Sequence, residues 1–471
     1  MSYTSWQYFA MILVLLPVYY LLPKKHRWIV LLAGSVFFYV RLIRDWKQLL
    51  VFGLSIVLSY CFSLMIQITR RKKKIVRLVV LWAGILLSSL PLLLYRVGGL
   101  FGSTSWIVPV GLSFYTLQMI AYLTDVYRKK VRVQVDPLKY ALFISFFPQI
   151  IQGPIPRYNA LEKGLFEGND YDFDHIVSGL QLVLWGFFLK YMIADSAAVF
   201  VNNVFDQFPK YTGGYVLLAG ILYSLQLYAD FLSCTSISQG VAGMFGITLG
   251  ENFCRPYFAD SVKDFWRRWH ISLSSWLRDY IYIPLGGNRR GKLMRWINLV
   301  IVFAVSGLWH GGSGKFLVWG LLHAFYQILG ELFTPGRRNS EHAPSGILRP
   351  FRQLLTFFLV MIGWIIFRAD TLKTALEMLG SMFTEFTPEL FTGRIFKLGL
   401  NQKEFIVLLF SVILLWLVGY LQEKGVVIRS WIMKRNIVVR WGIYFAMIWL
   451  IWICGSYGYG FNAADFIYGG F

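Results

Sequence analysis

Runs of roughly 20 apolar residues recur along the chain and are separated by short polar segments. They cover residues 6–22, 49–66, 76–95, 176–193, 215–231, 316–333, 354–367, 405–421 and 439–453. Each run can cross a hydrocarbon core about 30 Å thick as an α-helix, because a helix satisfies its own backbone polar groups there. The spacing therefore predicts a bundle of membrane-spanning helices.

Three shorter apolar runs raise the expected number of crossings to roughly ten to twelve. They cover residues 28–43, 107–122 and 296–309. Strands are not expected, and no change of composition marks a separate soluble domain, so residues 1–471 are interpreted as a single all-α integral membrane domain. Residues 1–7 contain no basic residue and no small-residue cleavage site follows, so the first run is expected to remain as a span.

Composition and charge agree with a membrane protein. Hydrophobic residues make up 57% of the chain, charged residues 15%, and the mean hydropathy is +0.55. A formal net charge of +22 would indicate nucleic-acid binding in a soluble chain. Here the basic residues fill alternate loops, so the positive-inside rule places those loops in the cytoplasm and the N-terminus outside. These loops carry Lys24, Lys25, Arg27, Arg70, Arg71, Lys72, Lys73, Lys74, Arg128, Lys129, Lys130 and Arg132.

Two apolar segments contain helix breakers. Residues 145–158 include three prolines and a glycine, which cannot lie in one unbroken helix. Non-helical backbone at membrane depth needs surrounding protein or water, so a re-entrant or interfacial element is predicted there. Residues 235–253 contain four glycines and are too polar to cross alone, and this segment is expected to lie against the protein interior.

The segment 260–286 has the periodicity of a helix lying on a surface. Ser261 and Asp264 form the start of a capping box, and large apolar residues then recur at spacings of three and four. Arginine, serine and aspartate side chains fall mainly on the opposite face. We predict one Trp-rich amphipathic helix at the cytoplasmic interface, ended by Pro284. Its apolar face carries His270, which is therefore expected to point inward.

The stretch 305-VSGLWHGGSGKFLVWG-320 places His310 at the end of an apolar run and directly before glycines. The run at 296–309 corresponds to roughly 21 Å of helix at 1.5 Å per residue, which is shorter than the membrane core. His310 is therefore expected well inside the bilayer, where desolvation favours a neutral imidazole. A neutral imidazole can accept a proton, as a general base acting on a hydroxyl must. The alternative is a structural histidine bonded across helices.

The other histidines have simpler interpretations. His26, His175 and His342 lie in or beside polar loops and are expected to be solvated. His270 and His323 fit roles in packing or in bracing neighbouring helices. HExxH, GxSxG in a strand-to-helix context and a phosphate loop ending in GK[ST] are all absent from the sequence, which disfavours metal and nucleotide chemistry. The four cysteines lack CxxC spacing, so neither a disulfide framework nor a zinc site is supported.

The chain resembles the membrane-bound O-acyltransferase family, in its bacterial alginate and peptidoglycan O-acetylation branch. The resemblance runs nearly end to end. It is carried by 109-PVGLSFYTLQMIAYLTDVYR-128, 146-FFPQIIQGPIPRY-158, 251-ENFCRPYFADSVKDFWRRWHISLSSWLRDYIYIPLGGNRRG-291, 306-SGLWHGGSGKFLVWGLLH-323 and 464-ADFIYGGF-471. It implies a ring of tilted helices around a central tunnel, with re-entrant and interfacial helices, and transfer of an acyl group to a hydroxyl.

The resemblance also implies roles for particular residues. His310 would be the catalytic base in the tunnel, and His270 would be a second functional position. Acetyl-CoA is the expected acyl donor on the cytoplasmic side, with no permanently bound cofactor, and the acceptor is expected to be an extracytoplasmic polysaccharide, wall glycan or relay protein. The chain is expected in the bacterial inner membrane. Further residues considered for substrate or donor binding are Trp266, Arg267, Arg268, Trp269, Arg278, Asn298, Trp309 and His323.

Alternatives remain open from the sequence. D-alanyl transfer to teichoic acid would use an aminoacyl carrier protein as donor. A transporter or flippase, or a scaffolding membrane subunit, would also contain many spans and broken helices. The segment 230-DFLSCTS-236 departs from the family, because Ser236 stands where relatives often carry a second acid. Any role of that acid cannot be transferred to this chain.

Overall fold

The computed structural model describes residues 1–43, 45–100, 107–333 and 348–457. Within these ranges every regular element is helical, so the all-α fold class is confirmed. The first ten helices are α1 (Trp6–Leu21), α2 (Arg27–Leu42), α3 (Trp46–Ile68), α4 (Lys74–Leu100), α5 (Leu112–Tyr127), α6 (Pro137–Ser145), α7 (Tyr158–Phe166), α8 (Phe173–Phe188), α9 (Asp195–Phe205) and α10 (Gly214–Met244). His342 and the motif at 464–471 lie outside the described residues.

The second half of the chain is also helical. It contains α11 (Val262–Arg268), α12 (Ile271–Leu277), α13 (Gly291–His310), α14 (Gly314–Phe333), α15 (Leu348–Arg368), α16 (Leu372–Thr384), α17 (Gln402–Glu423), α18 (Ile428–Met433) and α19 (Ile437–Cys454). In the described part of the chain, nine helical stretches are long and apolar enough to cross a membrane. The estimate of ten to twelve crossings requires that 16-residue helices such as α1 and α2 also cross.

The proline-rich segment 145–158 is a buried, largely non-helical loop between α6 and α7. The two ends of this region meet, because Gln134 Nε2 donates a hydrogen bond to the hydroxyl oxygen of Tyr158 at 2.9 Å. Near the tip, the Tyr3 hydroxyl donates to the carbonyl oxygen of Phe147 at 3.0 Å. The chain before α6 and the start of α7 therefore lie side by side, with the loop between α6 and α7 buried in the bundle, an arrangement that fits a re-entrant element.

Gly240 and Gly243 do not break the helix in which they lie. α10 continues through Gly240 to Met244. Gly240 lies against Gly179 of α8, and a Cβ on either glycine would come within 2.5 Å of the other's carbonyl oxygen. Small residues allow membrane helices to approach this closely. The expected burial of this segment is confirmed, but Gly240 serves helix packing and does not interrupt the helix.

A buried ion cluster joins α10 to the irregular part of the preceding span. α8 continues into α9 through a π-helical turn, Leu189–Ala194, which carries Lys190. The Nζ atom of Lys190 lies 2.8 Å from Asp230 Oδ1 and 3.0 Å from Asp195 Oδ1, and all three side chains are at most 4% exposed. Asp230, the leading acid of the segment at 230–236, is thus an ion-pair partner.

The prediction of one amphipathic helix over 260–286 is wrong. Ser261 caps α11 as expected, but α11 and α12 are separate short helices that meet at His270, and a π-helical turn, Arg278–Tyr282, follows them. His270 has a φ of 43°, a left-handed conformation that costs a residue with a side chain about 1–3 kcal/mol. The spacing of apolar residues indicates which side chains are buried. It does not indicate where the helix axis changes direction, so two short helices were predicted as one.

The prediction that the helix ending at His310 is too short to cross is also wrong. α13 begins at Gly291 and has 20 residues, or about 30 Å at 1.5 Å per residue. Residues 311–313 connect it to α14, which also has 20 residues. A Cβ on Gly307 would clash with the carbonyl oxygen of Phe316 in α14, so the glycine permits close packing of the two helices. The glycines after His310 therefore form a hairpin turn at a helix end.

Candidate active site

His310 is the last residue of α13, and aromatic side chains enclose its ring. The residue is 2% exposed. Its ring centroid lies 4.8 Å from Trp309, 5.1 Å from Trp319 and 5.4 Å from Phe367, with each pair close to edge-to-face. The resemblance implies a tunnel that reaches the His310 ring. In the structure, aromatic side chains are packed directly against this ring.

His270 lies in a neighbouring aromatic environment and is 1% exposed, so the expectation that it points inward is confirmed. Phe231 of α10 contacts it edge-on at 4.7 Å between centroids, and Phe114 of α5 lies nearly parallel at 6.3 Å. Burial lowers the pKa of His270 to about 3. Its imidazole is therefore neutral at physiological pH.

Trp309 brings the two predicted catalytic histidines together. Its indole centroid lies 4.8 Å from the His310 ring and 6.1 Å from the His270 ring. The indole is held in place because Nε1 donates a hydrogen bond to the Ser113 carbonyl oxygen at 3.1 Å. Two histidines forty positions apart in the sequence therefore contact one indole in the same buried cluster.

His323 belongs to the same cluster, but it makes a bracing contact. Trp266 Nε1 of α11 donates to its Nδ1 at 3.2 Å, so a neutral ring carries its proton on Nε2. That Nε2 atom is buried without a hydrogen-bond partner among the described residues. It lies over Gly363, where an added Cβ would come within 2.7 Å of it. His323 thus links α14 to α11 and packs closely on α15.

Trp269 extends the cluster toward α15. It is 1% exposed, with ring centroids 5.0 Å from both Phe253 and Trp364. Several cluster members were missed by the sequence reasoning, which singled out polar rings in apolar segments: Phe114, Phe231, Trp319, Trp364 and Phe367. Phe114 and Trp319 fall inside the motifs that carry the family resemblance, which was the one available signal for them.

The arginines considered for donor binding occupy different environments. Arg268 is engaged within the protein, because its Nε lies 2.9 Å from Asp264 Oδ2 and its guanidinium lies 2.5 Å from Glu423 Oε1. Arg278 is exposed and contacts Asp279 at 2.9 Å. Arg267 is also exposed on α11. Arg267 and Arg278 therefore face outward, and Arg268 joins α11 to the end of α17.

Asn298 does not join the histidines. It is 1% exposed, and its Nδ2 donates to the carbonyl oxygen of Gly287 at 3.1 Å. It lies twelve residues before His310 on α13, which is about 18 Å along the helix axis. Asn298 bonds α13 to the turn before it and lies in the half of the helix that is distant from His310.

The sequence profile of the membrane-bound O-acyltransferase family matches residues 44–368. The chain belongs to this family. A probable alginate O-acetylase of Pseudomonas fluorescens is 35% identical over 379 residues, covering 80% of this chain and 74% of that protein. A peptidoglycan O-acetyltransferase of Helicobacter pylori is 36% identical over 308 residues, covering 60% of this chain and 58% of that protein.

A more distant relative acts on a different polymer. A teichoic acid D-alanyltransferase of Bacillus subtilis is 28% identical over 273 residues, covering 55% of this chain and 68% of that protein. Family membership confirms that the chain is an O-acyltransferase and a multi-pass membrane protein. Family membership therefore favours an enzyme over the two non-enzyme alternatives, a transporter and a scaffolding subunit.

Proposed function

We propose that this enzyme transfers an acetyl group from a cytoplasmic donor, acetyl-CoA, to a hydroxyl of an extracytoplasmic polysaccharide or cell-wall glycan, or to a relay protein. His310 acts as the general base. The observation that carries the proposal is the meeting of His310 and His270 at Trp309 inside a buried aromatic cluster. The names of the alginate and peptidoglycan relatives support acetyl as the acyl group and a glycan as the acceptor.

The aromatic cluster suits proton transfer from a hydroxyl. Burial in an apolar environment favours a neutral imidazole, and a neutral imidazole has one nitrogen that accepts a proton. The acceptor oxygen bonds to the acyl carbon as its proton passes to His310, and the proton then moves to the thiolate released when the carbon–sulfur bond breaks. His270 donates a hydrogen bond to the acyl carbonyl oxygen and steadies its developing charge.

The two ends of α13 separate the basic loop, where the phosphates of the donor can bind, from His310, where its acyl group must meet the acceptor. Its first turn follows the exposed arginines Arg289 and Arg290, which can bind coenzyme phosphates together with Arg267 and Arg278. His310 lies at the other end, about 30 Å away along a 20-residue helix. This separation supports transfer from a donor on the basic side to an acceptor that arrives from the opposite side.

The packing around His310 sets a condition on the mechanism. Only 2% of the residue is exposed, so a hydroxyl cannot reach the ring while Trp309, Trp319 and Phe367 hold these positions. Substrate binding must therefore displace at least one aromatic side chain. Closing of the same side chains over bound substrate would exclude water from the thioester.

The decisive variant is His310→Ala in the purified full-length enzyme. General-base catalysis contributes about 100- to 10,000-fold, so kcat for release of labelled acetyl groups should fall by that factor. His175→Ala is the matched control, because the His175 side chain is 65% exposed, and it should retain full activity. Normal turnover by folded His310→Ala enzyme would overturn the assignment. Parallel assays with a D-alanyl carrier protein test the alternative donor, and turnover with that donor alone would replace acetyl-CoA.

A further inference from the structure

We propose that Asn252 is a positioning residue for His270. It supplies, from a separate segment of the chain, the helix cap that His270 does not provide, and so keeps the imidazole turned into the aromatic cluster. The inference rests on the proposed function, because that function is what makes His270 important for acyl transfer. The geometry itself stands on two backbone hydrogen bonds and one bond to the Asn252 side chain.

The first observation is the unusual start of α12. His270 occupies the N-cap position of this helix, but its side chain makes no capping hydrogen bond. That position is normally filled by Ser, Thr, Asp or Asn, whose side chain accepts a bond from an amide two or three residues later. Asn252 takes over this function. Its carbonyl oxygen accepts from Ile271 N at 2.9 Å, and its Oδ1 accepts from Ser272 N at 3.3 Å.

The second observation is that the same segment also bonds to the other side of the junction. Cys254 N donates to the carbonyl oxygen of Arg268 at 2.9 Å, so residues 252–254 hold the ends of both α11 and α12. Asn252 is 1% exposed, and no solvent competes for these bonds. The bonds from residues 252–254 to α11 and α12 therefore hold the backbone of His270 in its left-handed conformation, with a φ of 43°.

The consequence concerns the direction of the His270 side chain. Without the Oδ1 acceptor, the buried amide of Ser272 would have lost its hydrogen-bond acceptor. Such a group is costly, so the backbone around it would rearrange. A residue with a side chain leaves the left-handed region readily. Such a relaxation rotates the Cα–Cβ bond of His270, and the ring would lose its contacts with Phe114 and Phe231.

The test compares two substitutions at one position with a matched buried amide elsewhere. Asn252→Leu removes the acceptor, and misplacement of His270 should lower kcat about 10- to 100-fold with little change in the donor KM. Asn252→Asp keeps an oxygen acceptor and should recover activity to within a few-fold of wild type. Gln181→Leu is the control, because Gln181 is a buried amide that bonds Tyr444 in α19 at 2.7 Å, and kcat per folded enzyme should not change.

A purely structural role for Asn252 would give a different result. Asn252→Leu would then lower only the yield of folded protein, the effect expected of Gln181→Leu, and leave kcat per folded enzyme unchanged, which would overturn the inference. A cryo-electron microscopy structure of Asn252→Leu separates this inference from the proposed function. A displaced His270 ring supports the positioning role even if His270 proves dispensable for transfer, and an undisplaced ring refutes it.

Discussion

At the scale of single residues, the two central histidines occupy contrasting backbone positions. His310 ends a regular helix, and glycine turns the chain after it. His270 interrupts two helices with a left-handed φ of 43°. Strained backbone of this kind persists only where the surrounding structure holds it, and here Asn252 and Cys254 do so. The strain therefore marks His270 as a position whose geometry the fold maintains.

The buried state of His270 predicts a pH dependence of stability. Its pKa is about 3 in the folded protein and about 6.5 when unfolded, so between these values the unfolded chain binds the extra proton. Stability contributed by the neutral ring is complete above pH 6.5 and is lost as the pH falls toward 3. Between pH 7 and pH 5 the loss amounts to about 2 kcal/mol.

Denaturant unfolding of the detergent-solubilised enzyme measures this loss. His270→Gln cannot titrate, and it should lose correspondingly less stability than wild type between pH 7 and pH 5. His175→Gln, at an exposed position, should follow the wild-type curve. Equal acid sensitivity of wild type and His270→Gln would show that the His270 ring is not buried in a neutral state.

At the scale of elements, the ion cluster on the π-helical turn governs how α8, α9 and α10 fit together. Lys190 bonds to one carboxylate on α9 and one on α10. α10 also carries Phe231 against the His270 ring. Buried charges are costly unless they are paired, so the cluster fixes the register between these helices.

Removal of the central cation tests this role. Lys190→Met leaves Asp195 and Asp230 buried without their ammonium partner, and breaking a buried pair costs about 3–5 kcal/mol. A large fall in melting temperature is therefore expected, and replacing both aspartates by Asn in the same chain should recover part of it. Lys373→Met removes an exposed lysine and should leave the melting temperature near wild type. Equal behaviour of the two lysine variants would contradict the proposed importance of the cluster.

At the scale of the whole molecule, polar contacts tie two of the basic loops to distant segments. Lys24 pairs with Asp170, and both Arg128 and Arg157 bond to Asp279. Lys24 and Arg128 lie in loops that the positive-inside rule places in the cytoplasm, and their partners are far away in the sequence. Two of the predicted cytoplasmic loops are thus each bonded to a distant segment of the chain.

Two lysines at opposite ends of α3 provide a matched test of this orientation. In a chain whose four cysteines are replaced by serine, Lys47→Cys should react with a membrane-impermeant maleimide in intact spheroplasts. Lys72→Cys should react only after permeabilisation, because its loop faces the cytoplasm in the expected topology. Both lysines are exposed, so reagent access depends on the membrane side. The reverse labelling pattern would invert the assigned orientation.

Much of the fold of this protein follows from local sequence features. Apolar runs, helix breakers and basic loops depend on nearest neighbours and on the membrane as solvent, so the all-α class and the re-entrant loop at 145–158 were predictable. His310 was singled out because a polar ring in an apolar segment is costly and uncommon, whereas a functional role for His270 was implied only by the family resemblance. The length of α13 and the division at His270 were mispredicted, because hydrophobic spacing does not record where a helix axis starts or turns.

Only the tertiary structure decided which side chains surround those histidines. Phe114, Phe231 and Phe367 come from three different helices, and an aromatic residue in a membrane span is too ordinary to be noticed in a sequence. Asn252 and Lys190 acquire their roles through bonds to distant segments. Such contacts depend on how helices pack against one another, and packing at long range leaves no periodic signal in the chain.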